Sequence, residues 1–182
     1  MENLQTGLCN YPIIPSSTKE SMKVHWNTQT LGVSYKDKII LDLGAANGDS
    51  SEYFIFEGAK CVIAVDGNAK LFEQLKENSK AFEGKIIPIL LQIEKPEDIE
   101  KLIVEFKPDI VKSDIEGAEV HLYNIKDEIW KMVPEYLVES HEGYGFVKDE
   151  VMRQKCKRIN YNFKYFVTTA GIIYAIRENN KI

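Results

Sequence analysis

The chain has 182 residues, of which 44% are hydrophobic and 28% charged; that is enough for one domain with a buried core, and the balance excludes a disordered chain. Its net charge of −5 argues against a whole-chain nucleic-acid binder, which is usually basic, and no apolar run approaches the roughly 18 residues of a membrane-spanning helix. The polar start MENLQTGLCN shows no signal-peptide pattern, and Cys9, Cys61 and Cys156 are too few and too scattered for a disulfide framework or a zinc site, so a reducing, cytoplasmic setting is expected.

Residues 1–36 read as an irregular N-terminal extension with Pro12, Pro15 and a Ser16-Ser17-Thr18 turn signal, interrupted by a short helix over 18–27. Here His25 and Trp26 are either packing or a lid over a ligand. The apolar run 39–43 predicts a strand buried on both faces. A loop with Gly44 and Gly48 follows, then a helix to about Glu57 with Asp49, Ser50 and Ser51 as N-cap candidates and Gly58 as its stop. A second strand spans 61–65 and a second helix 69–79, the latter from the spacing of Leu71, Phe72 and Leu75. A third strand covers 85–91. Pro96, Glu97 and Asp98 open a helix whose apolar stripe is Ile99, Leu102, Ile103 and Phe106, ended by Pro108.

A fourth strand is expected over 109–113. A helix marked by Leu122, Ile125, Ile129 and Met132 runs to Pro134. A fifth strand covers 136–139 and a helix 147–158. Two β-like runs, 163–168 and 172–176, flank Thr169-Ala170-Gly171 as a hairpin. From Phe146 onward there are eight Lys or Arg against three Asp or Glu, a local balance of +5 that leaves −10 on the rest; such a face is first a solvated surface and second a phosphate site. Five strand–helix units and a terminal pair predict a single domain. It is α/β, a Rossmann-like three-layer sandwich with a mostly parallel seven-stranded sheet and a C-terminal antiparallel hairpin, its core over 37–182.

In such a sheet the ligand sits outside the carboxyl ends of the strands, where strand order reverses. The stretch there is Asp42-Leu43-Gly44-Ala45-Ala46-Asn47-Gly48-Asp49-Ser50. Small residues let backbone approach a ligand, and the following helix start offers free N–H groups. The glycines are spaced G-x-x-x-G, which is neither the dinucleotide G-x-G-x-x-G nor a phosphate-binding loop with Gly-Lys-Ser or Gly-Lys-Thr. Asp42 and Asp49 suit a ligand with positive charge and no phosphate, as S-adenosylmethionine is. The second strand ends Val65-Asp66-Gly67-Asn68, where a carboxylate can accept both hydroxyls of a ribose.

These residues resemble a class I methyltransferase: Asp42-x-Gly44-x-x-x-Gly48 is similar to that superfamily's first motif, with Ala46 where a glycine is common, and Asp66 matches its ribose-binding acid. Lys112-Ser113-Asp114-Ile115-Glu116-Gly117-Ala118-Glu119 resembles the K-x-D-[IV]-E-G-x-E motif of the FkbM family, and Val138-Glu139-Ser140-His141 its fifth-strand ending. The resemblance covers about 38–141. It implies S-adenosyl-L-methionine as co-substrate and a site built on Asp42, Gly44, Ala45, Ala46, Asn47, Gly48, Asp49, Ser50, Asp66, Gly67, Asn68 and Asp114. The acceptor is not inherited; a hydroxyl on a small molecule or sugar is expected, with nucleic acid and membrane disfavoured.

Methyl transfer asks the protein to align the nucleophile and remove its proton; positioning supplies about 7–11 kcal/mol and a general base roughly 10²–10⁴-fold. Asp114, Glu116, Glu139 and His141 fall at strand ends on the ligand edge, with His141 or Asp114 as base and Glu116 and Glu139 orienting the acceptor. The alternative is that Glu116 caps the next helix and His141 is an ordinary loop residue. Oxygen ligands with one imidazole would suit a divalent ion, but no metal is expected. Lys112 points opposite to Ser113 and is as easily structural as functional. Two competing functions remain: an FtsJ-like RNA ribose 2′-O-methyltransferase, which would want a lysine where Glu139 stands, and a non-catalytic S-adenosylmethionine-binding domain.

Overall fold

The computed structural model describes residues 32–139, 149–166 and 172–177. In chain order the elements are β1 (Ile39–Leu43), α1 (Asp49–Phe56), β2 (Cys61–Asp66), α2 (Ala69–Ser79), a 3₁₀ turn (Lys80–Phe82), β3 (Ile86–Leu90), α3 (Pro96–Phe106), β4 (Ile110–Ser113), α4 (Glu119–Tyr123), α5 (Asp127–Trp130), β5 (Glu135–Glu139), α6 (Asp149–Arg158), β6 (Tyr161–Phe166) and β7 (Ile172–Arg177). The expected helix over 18–27, His25, Trp26, Cys9, His141 and the hairpin loop Thr169-Ala170-Gly171 lie outside the described residues.

The seven strands form one sheet in the order β3-β2-β1-β4-β5-β7-β6. β1 pairs in parallel with β2 and β4, β2 with β3, and β4 with β5, while β7 runs antiparallel between β5 and β6. Strand order reverses between β1 and β4, so the crevice beyond their carboxyl ends is the place for a ligand. The expected α/β architecture is therefore the observed one.

Continuous apolar strands bury both faces. One face packs Ile40, Val62, Ala64 and Ile110 against Tyr53 and Phe54 of α1 and Leu75 of α2. The other packs Leu41, Leu43, Val65 and Val111 against Ile99, Leu102 and Ile103 of α3, Trp130 of α5, and Met152 and Cys156 of α6. Each such fully buried aliphatic side chain contributes about 1.5–3 kcal/mol. At the sheet's far side Trp130 and Tyr136 stack with centroids 3.9 Å apart, and the Tyr136 hydroxyl donates to the Trp130 carbonyl at 2.9 Å.

Two expectations need correction. The helix read across Leu122 to Met132 is two short helices. A continuous helix would send the Lys126 N–H back to Leu122; it donates instead to Glu100 Oε1 at 2.8 Å. The buried Lys155 ammonium, arriving from α6, takes the carbonyls of Tyr123 and Ile125 and lies 4.9 Å from the Trp130 ring. The start of α1 also differs: its N-cap is Gly48, at φ 103°, with no side-chain cap. Ser50 and Ser51 lie inside the helix rather than before it, and both hydroxyls donate to Asp42 Oδ2 at 2.7 Å.

Candidate active site

A cleft of about 240 Å³ opens at the carboxyl ends of β1, β2 and β4, lined by Gly44, Asp66, Gly67, Asn68, Asp114 and Glu116 among others. All six were singled out from sequence. Asp42, Ala45, Ala46, Asn47, Gly48, Asp49 and Ser50 do not line it, nor does Glu139. The cleft also has apolar walls that sequence reasoning missed, from Leu71, Leu91, Ile93 and Ile115, with Gln92 among them. Leu91, Gln92 and Ile93 follow β3, whose neighbouring position in the sheet is set by long-range pairing that local patterns do not carry.

The first loop is built from backbone bonds. Gly44 and Ala45 both donate to the Val65 carbonyl, at 2.9 and 3.0 Å, and Gly48 donates to Ala45 at 2.8 Å. Gly44 has φ 75°, and a Cβ there would sit 1.7 Å from the Asp114 carbonyl oxygen, so only glycine lets the loops after β1 and β4 touch. Ala46 is left-handed at φ 48°; its N–H donates to Asp66 Oδ2 at 2.8 Å. Asp66 Oδ1 accepts the Asn68 N–H at 2.7 Å, and Asn68 in turn caps α2 through its side chain. Gly67 packs against Gln92: a Cβ there would lie 2.1 Å from Gln92 Oε1 and 3.0 Å from its Cα, so the Gln92 side chain would have to turn aside.

The second loop follows β4. Asp114 donates its N–H to the Leu43 carbonyl at 3.0 Å. Glu116 and Gly117 are both left-handed, at φ 51° and 100°, a turn that Glu119 holds in place. Its carboxylate, 3% exposed, accepts the N–H groups of Ile115 at 3.1 Å and Gly117 at 2.7 Å. The expected alternative, Glu116 as the helix cap, is thus not what is seen: α4 has Ala118 at its N-cap with no side-chain cap, Glu119 braces the turn before it, and Glu116 lines the cleft. Glu139 ends β5 half-buried, one step beyond the Ser113–Val138 register pair.

Asp42 is turned inward and does not line the cleft. It is 0% exposed, and besides the two serine hydroxyls it meets Lys112 Nζ at 2.9 Å, a close ion contact that lacks the alignment of a hydrogen bond. Lys112 is itself 1% exposed. Its ammonium donates to the Gly44 carbonyl at 2.9 Å and lies 3.9 Å from Asp114 Oδ2. A buried charge needs such a partner, because desolvation otherwise costs several kcal/mol.

Among the described residues no three His, Cys, Asp or Glu side chains converge to hold a metal, and no helix is long and apolar enough to cross a membrane. The described cysteines are poor nucleophiles: burial pushes Cys156 up to about 12 and also raises Cys61.

No protein-family profile matches the chain, and no curated protein matches it in sequence. Solved structures do match. Magnesium protoporphyrin IX methyltransferase from Synechocystis PCC 6803 with bound SAH is similar at a TM-score of 0.61 and 11% identity, over 90% of this chain and 84% of that one. The O-methyltransferase from Bacillus cereus in complex with SAH gives 0.55 and 15%, over 94% and 84%. A fibrillarin pre-rRNA processing protein from Methanococcus jannaschii gives 0.56 and 17%, over 81% and 70%. At these identities the likeness is one of fold: the chain has the Rossmann-like sandwich that these proteins share.

Proposed function

We propose that this chain is an S-adenosylmethionine-dependent methyltransferase that methylates a hydroxyl on a small molecule or sugar. The observation that carries the reading is the Asp66 carboxylate at the rim of the cleft. A carboxylate offers about four acceptor positions. The N–H groups of Ala46 and Asn68 take one each, which leaves capacity for the two adjacent hydroxyls of a ribose. The surroundings fit the rest of such a ligand: apolar walls for a purine, a glycine turn where backbone can approach, and carboxylates suited to an ammonium and a sulfonium. The fold it shares with SAH-bound methyltransferases agrees, as does the FkbM-like octet that supplies Asp114 and Glu116.

Bound S-adenosylmethionine supplies a methyl group already activated on a sulfonium. The chain's own residues then have three tasks. Gly44, Asp66, Gly67 and Asn68 hold the donor. Asp114 stands where an acceptor hydroxyl would enter and takes its proton, while Glu116 orients the acceptor. Glu139, at the carboxyl end of β5, stands on the same edge of the sheet; His141, the other candidate base, lies outside the described residues.

A ribose 2′-O-methyltransferase acting on RNA is the second reading, favoured by the likeness to fibrillarin and by the exposed Arg153 and Lys157 on α6. Against it, β5 ends in Glu139 where that chemistry wants a lysine, and Arg158, also exposed, is engaged bidentately by Asp127. Calorimetry with S-adenosylmethionine, followed by a labelled-methyl screen over sugars, small hydroxylated metabolites and RNA, separates the readings. Saturable cofactor binding with methyl transfer to a non-nucleic-acid hydroxyl is the expected result. Transfer confined to RNA supports the second reading, and binding without transfer to any acceptor supports a non-catalytic domain.

A further inference from the structure

Lys112 stands inside a central parallel strand, where a lysine is out of place. Its ammonium does more than neutralise Asp42, because it reaches three segments. It meets Asp42 of β1 at 2.9 Å, the carbonyl of Gly44 in the first loop at 2.9 Å and the carboxylate of Asp114 in the second at 3.9 Å. The same two loops touch backbone to backbone at Gly44 and Asp114, and both line the cleft. Asp42, the other member of the pair, fastens the first turn of α1 through Ser50 and Ser51.

We infer that Lys112 is a positioning residue that locks the donor-binding loop and the acidic loop into one rigid unit, acting through Gly44 and Asp114 from beneath the cleft. The inference rests on the methyltransferase reading. A cation in a dry interior interacts more strongly with a carbonyl and a carboxylate than it would in water. Both it and its partner Asp42 are buried in the sheet. Loop and acid therefore stay at fixed separation before either ligand arrives, which is what preorganisation requires.

The test must separate this from simple charge neutralisation. Lys112→Met alone strands a buried Asp42 and is a poor probe. The double variant Asp42→Asn/Lys112→Met removes both charges together, and the asparagine oxygen can still accept from Ser50 and Ser51. Lys112→Arg keeps the charge beside Asp42 but cannot place a compact ammonium on the Gly44 carbonyl. Thermal unfolding selects the variants that fold, and calorimetry with S-adenosylhomocysteine gives their affinity.

In whichever variant folds cooperatively, the dissociation constant is expected to rise about ten- to hundredfold, the equivalent of a lost charged hydrogen bond. Turnover per bound cofactor is expected to fall about 10²-fold from misplacement of Asp114. A folded variant of either kind with wild-type affinity and turnover overturns the inference and leaves the methyltransferase reading standing. Failure of the wild-type chain to bind S-adenosylhomocysteine or S-adenosylmethionine overturns both.

Discussion

The carboxylate of Asp66, at the end of β2, accepts the backbone N–H of Ala46 across the strand gap at 2.8 Å. One side chain thus shapes the turn after β1 and lines the cleft beside it. Asp66→Ala removes both contributions. It is expected to fold, because the residue is only half-buried at a strand end, and to lose roughly tenfold or more in affinity for S-adenosylhomocysteine by calorimetry. Wild-type affinity in this variant would remove the ribose assignment.

Ala46 adopts a left-handed conformation at φ 48° because Asp66 and the tight loop hold it there. That conformation costs a non-glycine residue about 1–2 kcal/mol. Ala46→Gly should relieve it. Partly offset by the extra freedom of glycine in the unfolded chain, the gain is expected to raise the thermal midpoint by about 2–4 °C. A lower midpoint in a thermal melt would show that the Ala46 methyl packs more than the strain costs.

Asp114 and Glu116 share the acidic loop, but Asp114 is also tied to β1 through its backbone. If Asp114 removes the acceptor proton, Asp114→Asn lowers kcat about 10²–10⁴-fold. Affinity for S-adenosylhomocysteine should change far less, and Glu116→Gln should act mainly on the acceptor's KM. Steady-state kinetics with the acceptor found by screening checks both; undiminished kcat in Asp114→Asn ends its role as base.

Away from the site, two carboxylates contribute to the stability of the fold in acid. The Lys126 backbone N–H, which donates to Glu100, holds its carboxyl below the usual range, and the Arg158 guanidinium does the same for Asp127. A carboxylate with a lowered folded pKa stabilises the chain above its unfolded value, about 4.3 for Glu and 3.9 for Asp, and that stabilisation disappears as pH falls through the folded value. The thermal midpoint is expected to drop as pH falls from about 5 toward 3. Glu100→Gln should start lower at pH 7 and fall less steeply over that interval. A parallel curve for the variant would contradict the assignment.

Much of this is legible in the sequence. Continuous β-branched runs announced the central strands because a parallel sheet buries both faces, and Gly44, Asp66 and Asp114 were placed at one edge because βα units leave all their carboxyl ends together. What stayed hidden depended on distant partners. The break between α4 and α5 comes from Lys155 and Glu100, neither of which belongs to the helical period it interrupts. Asp42 read as a ligand group because its carboxylate sits beside the glycine loop, yet the sheet turns it inward to Lys112, which neither residue's neighbours reveal. Glu119 lay in plain view inside the octet, but only the left-handed pair Glu116 and Gly117 explains why a carboxylate is needed there.

The most direct test of the central claim is a crystal structure of the chain grown with S-adenosylhomocysteine. The account predicts the ribose hydroxyls within hydrogen-bonding distance of Asp66, the purine between Leu71, Leu91 and Ile115, and the sulfur end over Gly44 near Asp114. A ligand seated elsewhere on the fold, with Asp66 touching nothing of it, would contradict the account.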